Sequence, residues 1–348
     1  MIELWYAIIA LTFATYVVLD GFDFGAGMLA PLVGRTDGER RQVLAAIGPY
    51  WDGNEVWLLA GGGALFVAFP RALASGISGF YFAIFLVLWC LIGRGAAIEF
   101  RSHVKDPLWR SVWDAALPVT SLLLALFFGV AFGNLVRGVP LDSDGWFALT
   151  LFTTFLPRPP VGILDVYTVA AGLFAVLALA AHGAAFLAWK TSGPVAQRSR
   201  VLGRRLALAV ALAWPLITLA TLRVNRELFE AVSTRPLAWA ATLLAILGLG
   251  FGFLARARGQ DRAAFLASSA FLLGILLATA AALFPVMLRS VGGTGPSLTA
   301  HDAATDAHGL RVALSWFGVG APLALFYLGV VIWLHRGRAE AAVEGEGY

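Results

Sequence analysis

Residues 48–58 read Gly48-Pro49-Tyr50-Trp51-Asp52-Gly53-Asn54-Glu55-Val56-Trp57-Leu58, and they open an apolar run that continues to Phe69. Asp52 and Glu55 therefore sit at the mouth of an expected membrane helix. A second acidic stretch, Leu19-Asp20-Gly21-Phe22-Asp23-Phe24-Gly25, interrupts the apolar segment before it. A carboxylate in hydrocarbon is costly, so each of these needs a partner, a water-filled cavity or a task.

Composition sets the class. The chain has 348 residues, 59% hydrophobic and 13% charged, with mean hydropathy +0.80. Soluble domains carry roughly 25% charged residues. A polytopic membrane protein follows, and long apolar runs make it all-helical, since barrels give ~10-residue alternating segments. The net charge of +4 is dispersed and does not suggest nucleic acid. The single cysteine, Cys90, excludes an internal disulfide and a thiolate metal site. The first apolar segment carries Glu3 rather than a basic flank and runs past Asp20, so it reads as a retained helix.

A span needs ~20 mostly apolar residues. Nine segments qualify: 5–33, 45–69, 76–98, 113–136, 162–189, 203–223, 236–255, 263–288 and 309–334. The connections are short, so residues 1–348 are expected to form one membrane domain. With the N-terminus outside, Lys and Arg on the cytoplasmic connections outnumber those outside by about two to one, which favours N-out and C-in. Glycine pairs at 21/25, 129/133 and 248/252 suit close helix packing within the subunit. Pro157 to Pro160 reads as a breaker, Ser297 or Thr299 as the cap of a short helix, and the stretch after His335 as a disordered tail.

On that topology Asp23, Asp52, Glu55, Arg94, Glu99, Arg101 and Asp114 all fall in the cytoplasmic half. Asp20 and Asp23 share a helix face by i,i+3 spacing, as do Asp52 and Glu55. Such groups can be tuned to exchange protons, or they can form a structural ion-pair lattice; the residues alone leave both open. Asp114 is expected to be a helix N-terminal charge, and Glu99 with Arg101 an interfacial pair. Trp51 either shields Asp52 or anchors the interface. His182 lies alone within an apolar run and reads as a hydrogen-bonded packing residue, a poor basis for haem ligation.

Three stretches carry a resemblance. They are Asp20-Gly21-Phe22-Asp23-Phe24-Gly25-Ala26-Gly27, Trp51-Asp52-Gly53-Asn54-Glu55-Val56-Trp57-Leu58, and Val130-Ala131-Phe132-Gly133-Asn134-Leu135-Val136-Arg137-Gly138-Val139-Pro140. In order and spacing they resemble subunit II of the cytochrome bd-type quinol oxidases, including the cyanide-insensitive branch. Ser297-Leu298-Thr299 followed by Asp302-Ala303 resembles the family's element before the last helix. His301 and the acidic stretch from Asp302 to Asp306 depart from the pattern.

The resemblance implies a nine-helix subunit of the bacterial inner membrane, paired as a heterodimer with a homologous subunit I. Subunit I would carry the haems, the quinol site and oxygen reduction. This chain would have no covalent or axially ligated cofactor, would support assembly, and would bring cytoplasmic protons to the oxygen-reducing site. Lipids, a structural quinone and a small single-helix accessory subunit are further implied partners. The aspartate matching Asp52 belongs to such a proton pathway, with the aromatic matching Trp51 beside it. Asp23, Glu55 and Glu99 are then candidate stations, and Asp20, Arg94, Arg101 and Asp114 supporting groups. The alternatives are a purely structural partner with an ion-pair lattice and, from another class, a proton-coupled transporter.

Overall fold

A computed structural model describes residues 1–341. Its helices are α1 (Ile2–Val33), α2 (Asp37–Ile47), α3 (Trp51–Ala68), α4 (Pro70–Gly79), α5 (Tyr81–Phe100), α6 (Pro107–Arg137), α7 (Val166–Lys190), α8 (Gly193–Val224), α9 (Arg226–Thr234), α10 (Pro236–Ala257), α11 (Asp261–Leu283), α12 (Ala300–Ala303) and α13 (Ala307–Leu334). Among the described residues, eight helices are long and apolar enough to cross a membrane, and the bent pair α3–α4 makes up to nine. The all-helical reading holds, with one small exception. The eighth segment stops at Leu283, before Phe284-Pro285, and Val286–Leu288 (β1) pairs antiparallel with Leu298–Thr299 (β2).

The second and third segments are divided differently from the sequence reading. Residues 45–47 belong to α2, a short amphipathic helix started by a Thr36–Glu39 capping box. A turn at Gly48-Pro49-Tyr50 separates it from α3. The third segment begins as α4, turned 119° from α3, and only at Tyr81 does α5 begin. Helix α6 also starts earlier than expected. Asp106 caps it and Pro107 takes the first helical position.

Helix α1 is the hub, packing on α3, α6, α7 and α11. Its contact with α7 is backbone to backbone. A Cβ built on Gly183 would stand 2.3 Å from the Gly25 carbonyl carbon, so only glycine fits. This meets the expected role of the Gly21/Gly25 pair. The core falls in three layers along α1. Trp5, Phe69 and Leu310 mark one end, Leu124, Leu179 and Phe271 the middle, and Ile47, Ile98 and Phe186 the other. The last end is also rich in arginine and is called the basic end below.

Two clamps close the ends. At the end opposite the basic one, Arg137 pairs with Asp165, donates to the Gly162 carbonyl at 2.9 Å and to Asn134 Oδ1 at 2.6 Å, all buried. Asp165 simultaneously caps α7 through the amides of Tyr167 and Thr168. The Gly-Asn-Leu-Val-Arg motif at 133–137 thus fastens α6 to the start of α7. At the basic end, Lys190 donates to the carbonyls of His335 and Gly337, Tyr50 donates to His335 at 2.9 Å, and Ala339 N–H bonds to the Lys190 carbonyl at 2.6 Å. The stretch after His335 is therefore tied down as far as Ala339, contrary to the expected disorder; residues 342–348 lie outside the described residues. Of the two candidate caps, Thr299 caps α12, while Ser297 Oγ accepts from Ser290 N–H.

Gly183→Val should wedge α1 from α7. Overpacking typically costs about 1–3 kcal/mol, and here it is backbone that must move. Fluorescence-detected size exclusion should show loss of the monodisperse species, whereas Gly250→Val, at an open position, should leave it intact.

Candidate functional site

Two tiers of charge stack at and below the basic end. The outer tier joins α2, α5 and α6. Arg101 donates to both oxygens of Asp114 (2.5 and 3.1 Å) and to Asp37 (2.9 Å), and Arg40 donates to Asp114 at 2.6 Å. Asp114 is thus two turns inside α6, binding arginines from two other elements, and does not serve as the N-terminal charge the sequence suggested. Arg101 pairs with Asp114 rather than with Glu99. The carboxylate of Glu99 makes no hydrogen bond or ion pair among the described residues; only its backbone carbonyl is engaged, by His103. A cavity of about 50 Å³ lined by Arg40, Arg101, Asp114 and Leu117 lies in this tier. Beside it Glu39 accepts from Arg198 at 2.7 Å and from the amides of Arg35 and Thr36. The Arg198 hydrogen bond, with those amides, holds the Glu39 carboxyl down at about 2.

The inner tier lies roughly 15–20 Å further along α1, at ~1.5 Å per residue from Val33 back to Asp23 and Asp20. Arg94 of α5 is fully buried, and its two terminal nitrogens grip Asp20 at 2.8 and 3.2 Å. The same guanidinium reaches Glu55 of α3 and lies 4.7 Å from the centroid of the Phe24 ring. One arginine therefore ties α1, α3 and α5. Next to it, Asn54 donates to Asp23 at 2.7 Å and to the Leu19 carbonyl at 3.2 Å. Asp20, Asp23 and Asn54 are all buried. Asp23 Oδ1, Asn54 Oδ1, Tyr16 Oη and Arg94 Nε are buried polar atoms with no partner among the described residues. So many unpaired atoms in one place call for bound water.

Asp52 is not part of this cluster. It is exposed, in line with Val56, Leu59 and Phe66 on an otherwise apolar stripe of α3. Trp51 turns the other way, packing on Gly95 of α5, where a Cβ would stand 3.2 Å from the ring. It contributes to the α3–α5 contact, and its Nε1 is buried without a partner among the described residues. The structure thus brings together Asp20, Asp23, Glu55 and Arg94 in one tier and Arg101 and Asp114 in the other, and leaves Asp52 and Glu99 outside both. Sequence reasoning missed Asn54, Asp37 and Tyr16. The i,i+7 register of Asn54 with Gly61 and Ala68 on the buried face of α3 would have found the first.

His182 is a packing residue. Its Nε2 faces the Val18 carbonyl at 2.9 Å, which can only accept, so Nε2 carries the proton and Nδ1 accepts from Ser268 at 2.7 Å. The ring stacks on Phe265 at 4.9 Å. No lone pair remains for iron, so His182 does not fit a haem. Among the described residues, no group of three or more His, Cys, Asp or Glu is arranged to hold a metal ion.

These features define a polytopic helical membrane protein built around an internal ionic cluster, without haem-binding geometry at its one buried histidine. The family model for cytochrome bd terminal oxidase subunit II matches residues 1–335. The chain is 32% identical to the cytochrome bd-I ubiquinol oxidase subunit 2 of Escherichia coli over 362 aligned positions, covering 96% of this chain and 94% of that one. It is 36% identical to the cytochrome bd ubiquinol oxidase subunit 2 of Bacillus subtilis over 211 positions, 61% of this chain and 60% of that one. Its fold matches a chain in the structure of the bd oxidase from Geobacillus thermodenitrificans with a TM-score of 0.75 and 18% identity, covering 96% and 98% of the two chains. The chain belongs to the cytochrome bd terminal oxidase subunit II family. It is a multi-pass bacterial membrane subunit of an oxidoreductase complex, and subunit I is its partner.

Removing one member of a buried ion pair costs about 3–5 kcal/mol, because the other charge is left unpaired. Arg94→Leu should therefore lower the melting temperature sharply, and more than Asp52→Leu, which breaks no hydrogen bond or ion pair among the described residues; comparable losses would contradict the geometry. For Glu39 the lowered pKa means its stabilisation is fully present above the ordinary value near 4.5 and is lost as pH falls toward 2. The melting difference between wild type and Glu39→Gln should be largest at neutral pH and close in acid.

Proposed function

We propose that this chain is the non-haem subunit of a quinol:oxygen oxidoreductase of the inner membrane. It supports assembly of the haem-bearing subunit I and conducts protons from the cytoplasm toward the oxygen-reducing site. The observation that carries the reading is the setting of Asp52. It is a carboxylate without a hydrogen-bond or ion-pair partner among the described residues, at the foot of an apolar membrane-facing stripe, one turn from Glu55. Such a group is costly against lipid, and a covering subunit with water removes that cost.

Behind Asp52 the path has stations. Glu55 spans the boundary, with a quarter of its side chain exposed (25%) and its head against Arg94. Asp23 lies deeper, with one oxygen held by Asn54 and the other open. The inner tier holds three carboxyl groups and one guanidinium, which leaves two carboxyl charges unanswered and a place for protons to be taken up. Asp20, doubly gripped by Arg94, is the fixed member; Asp23 and Glu55 are the mobile ones. Glu99, with no partner for its carboxylate among the described residues, serves at most as a collector near the surface. The outer tier, on the cytoplasmic side in this reading, supplies a water-sized cavity as the antechamber. Redox chemistry stays with the haems of subunit I. A structural quinone would need a surface cleft, because pockets for such ligands run to ~300–1,000 Å³ and the outer-tier cavity holds about 50 Å³.

The Arg94 grip also suits the structural reading, in which the acidic residues only pack. Asp52→Asn separates the two. Conduction predicts a complex that assembles with full haem content but consumes oxygen roughly a hundredfold or more slowly, the range ascribed to lost proton-transfer groups. Asp23→Asn should behave alike, since the amide keeps the shape. Wild-type oxygen consumption with full haem in both variants would contradict conduction, and loss of haem in Asp52→Asn would favour the structural role.

A further inference from the structure

The basic end carries a second concentration of arginine, on α8, α10 and α11, away from both tiers. Arg200, Arg204 and Arg205 lie on α8, Arg256 and Arg258 at the end of α10, and Arg262 at the start of α11. The acid among them is Asp261, and Arg200 takes both of its oxygens, at 3.1 and 2.8 Å. The guanidinium of Arg256 makes no hydrogen bond or ion pair among the described residues, although it is only partly exposed. In the outer tier, by contrast, Asp37 and Asp114 answer the arginines.

Between these helices is a notch of about 20 Å³ lined by Ser199, Arg200, Gly203, Arg204, Arg256 and Asp261. Ser199 is fully buried and its hydroxyl has no partner among the described residues. A helical serine ordinarily bonds back to the carbonyl one turn earlier; this one does not. A buried hydroxyl left unpaired beside an unpaired guanidinium is a donor set awaiting an oxyanion. Asp261 does not repel one, since its charge is answered by Arg200.

Size and surroundings identify the anion. A water needs roughly 10–15 Å³ of such space, so the notch accepts one oxygen, with the rest of the group outside under Arg204. On the outward faces of their helices, Val201, Leu208 and Leu212 of α8 and Leu247, Phe251 and Leu254 of α10 present exposed apolar side chains. Leu208 follows Arg204 by one turn on the same face of α8, so an apolar bed for acyl chains begins beside that guanidinium. We propose that Ser199, Arg204 and Arg256 bind the phosphate of an anionic phospholipid, with a non-ester oxygen seated in the notch and the acyl chains along α8 and α10. Arginine–phosphate pairing and basic pockets between membrane helices are the chemistry expected for such headgroups.

The test uses the intact purified oxidase, titrated in detergent with phosphatidylglycerol or phosphatidylcholine and read by native mass spectrometry. Wild type should retain phosphatidylglycerol in preference to phosphatidylcholine. Arg256→Gln and Ser199→Ala should weaken that retention roughly five- to tenfold, about what one headgroup contact contributes. Millimolar inorganic phosphate should not displace the lipid. Equal retention of phosphatidylglycerol by wild type and Arg256→Gln overturns the proposal. Displacement by inorganic phosphate overturns the lipid assignment in favour of a free anion. Should Arg256→Gln fail to assemble, Arg204→Gln decides in the same way, because that side chain is exposed and holds only the Arg256 carbonyl at 3.3 Å.

Discussion

One buried guanidinium sets the geometry of the whole acidic region. Arg94 holds Asp20 by two hydrogen bonds and Glu55 by a third contact, so α1, α3 and α5 cannot rotate independently. Desolvating three charges is expensive, and the grip repays that cost only with its geometry intact. The consequences reach outward. Fixing α3 by Glu55 places Asn54 against Asp23 inside and Asp52 on the outer stripe. Fixing α1 places its Gly25 face on α7, where no side chain fits.

Much of the fold was legible because apolar runs of membrane length have few alternatives. The errors came where local chemistry cuts a run. Gly48-Pro49 ends α2 before α3 begins, and the sharp bend near Phe69 turns α4 away. With two acidic residues in its first two turns, α3 qualifies as a span only together with α4. The start of α6 could have been read correctly: Asp106-Pro107 is a capping residue followed by proline at the first helical position. That signature would have shown Asp114 to be inside the helix. The lysine tether of the stretch after His335 was not legible, because a lysine at the end of an apolar helix looks like an interfacial anchor.

The candidate site was legible in membership but not in facing. Asp52 and Glu55 are i,i+3, and at ~100° per residue that leaves about 60° between them. At the edge of a buried face, 60° is enough to put one carboxylate in and the other out. Asn54 went unnoticed because an amide adds no charge to an apolar segment, yet its N–H is what orients Asp23. Asp20 and Asp23 behaved as expected because α1 is enclosed on every side at that depth, so no choice of face remained.

The family places this chain beside a haem-bearing subunit, and the inner tier is where the two readings of its acidic residues part. A lattice that only packs should be dry and satisfied. A proton path must hold water against Asp23. The most direct measurement is a high-resolution map of the assembled complex in the region of Asp23, Asn54 and Glu55. The account predicts ordered water within hydrogen-bonding distance of Asp23 Oδ1 and Asn54 Oδ1, continuing past Glu55 to Asp52. Protein donors re-paired to those oxygens, with no water between Asp23 and Asp52, would contradict it.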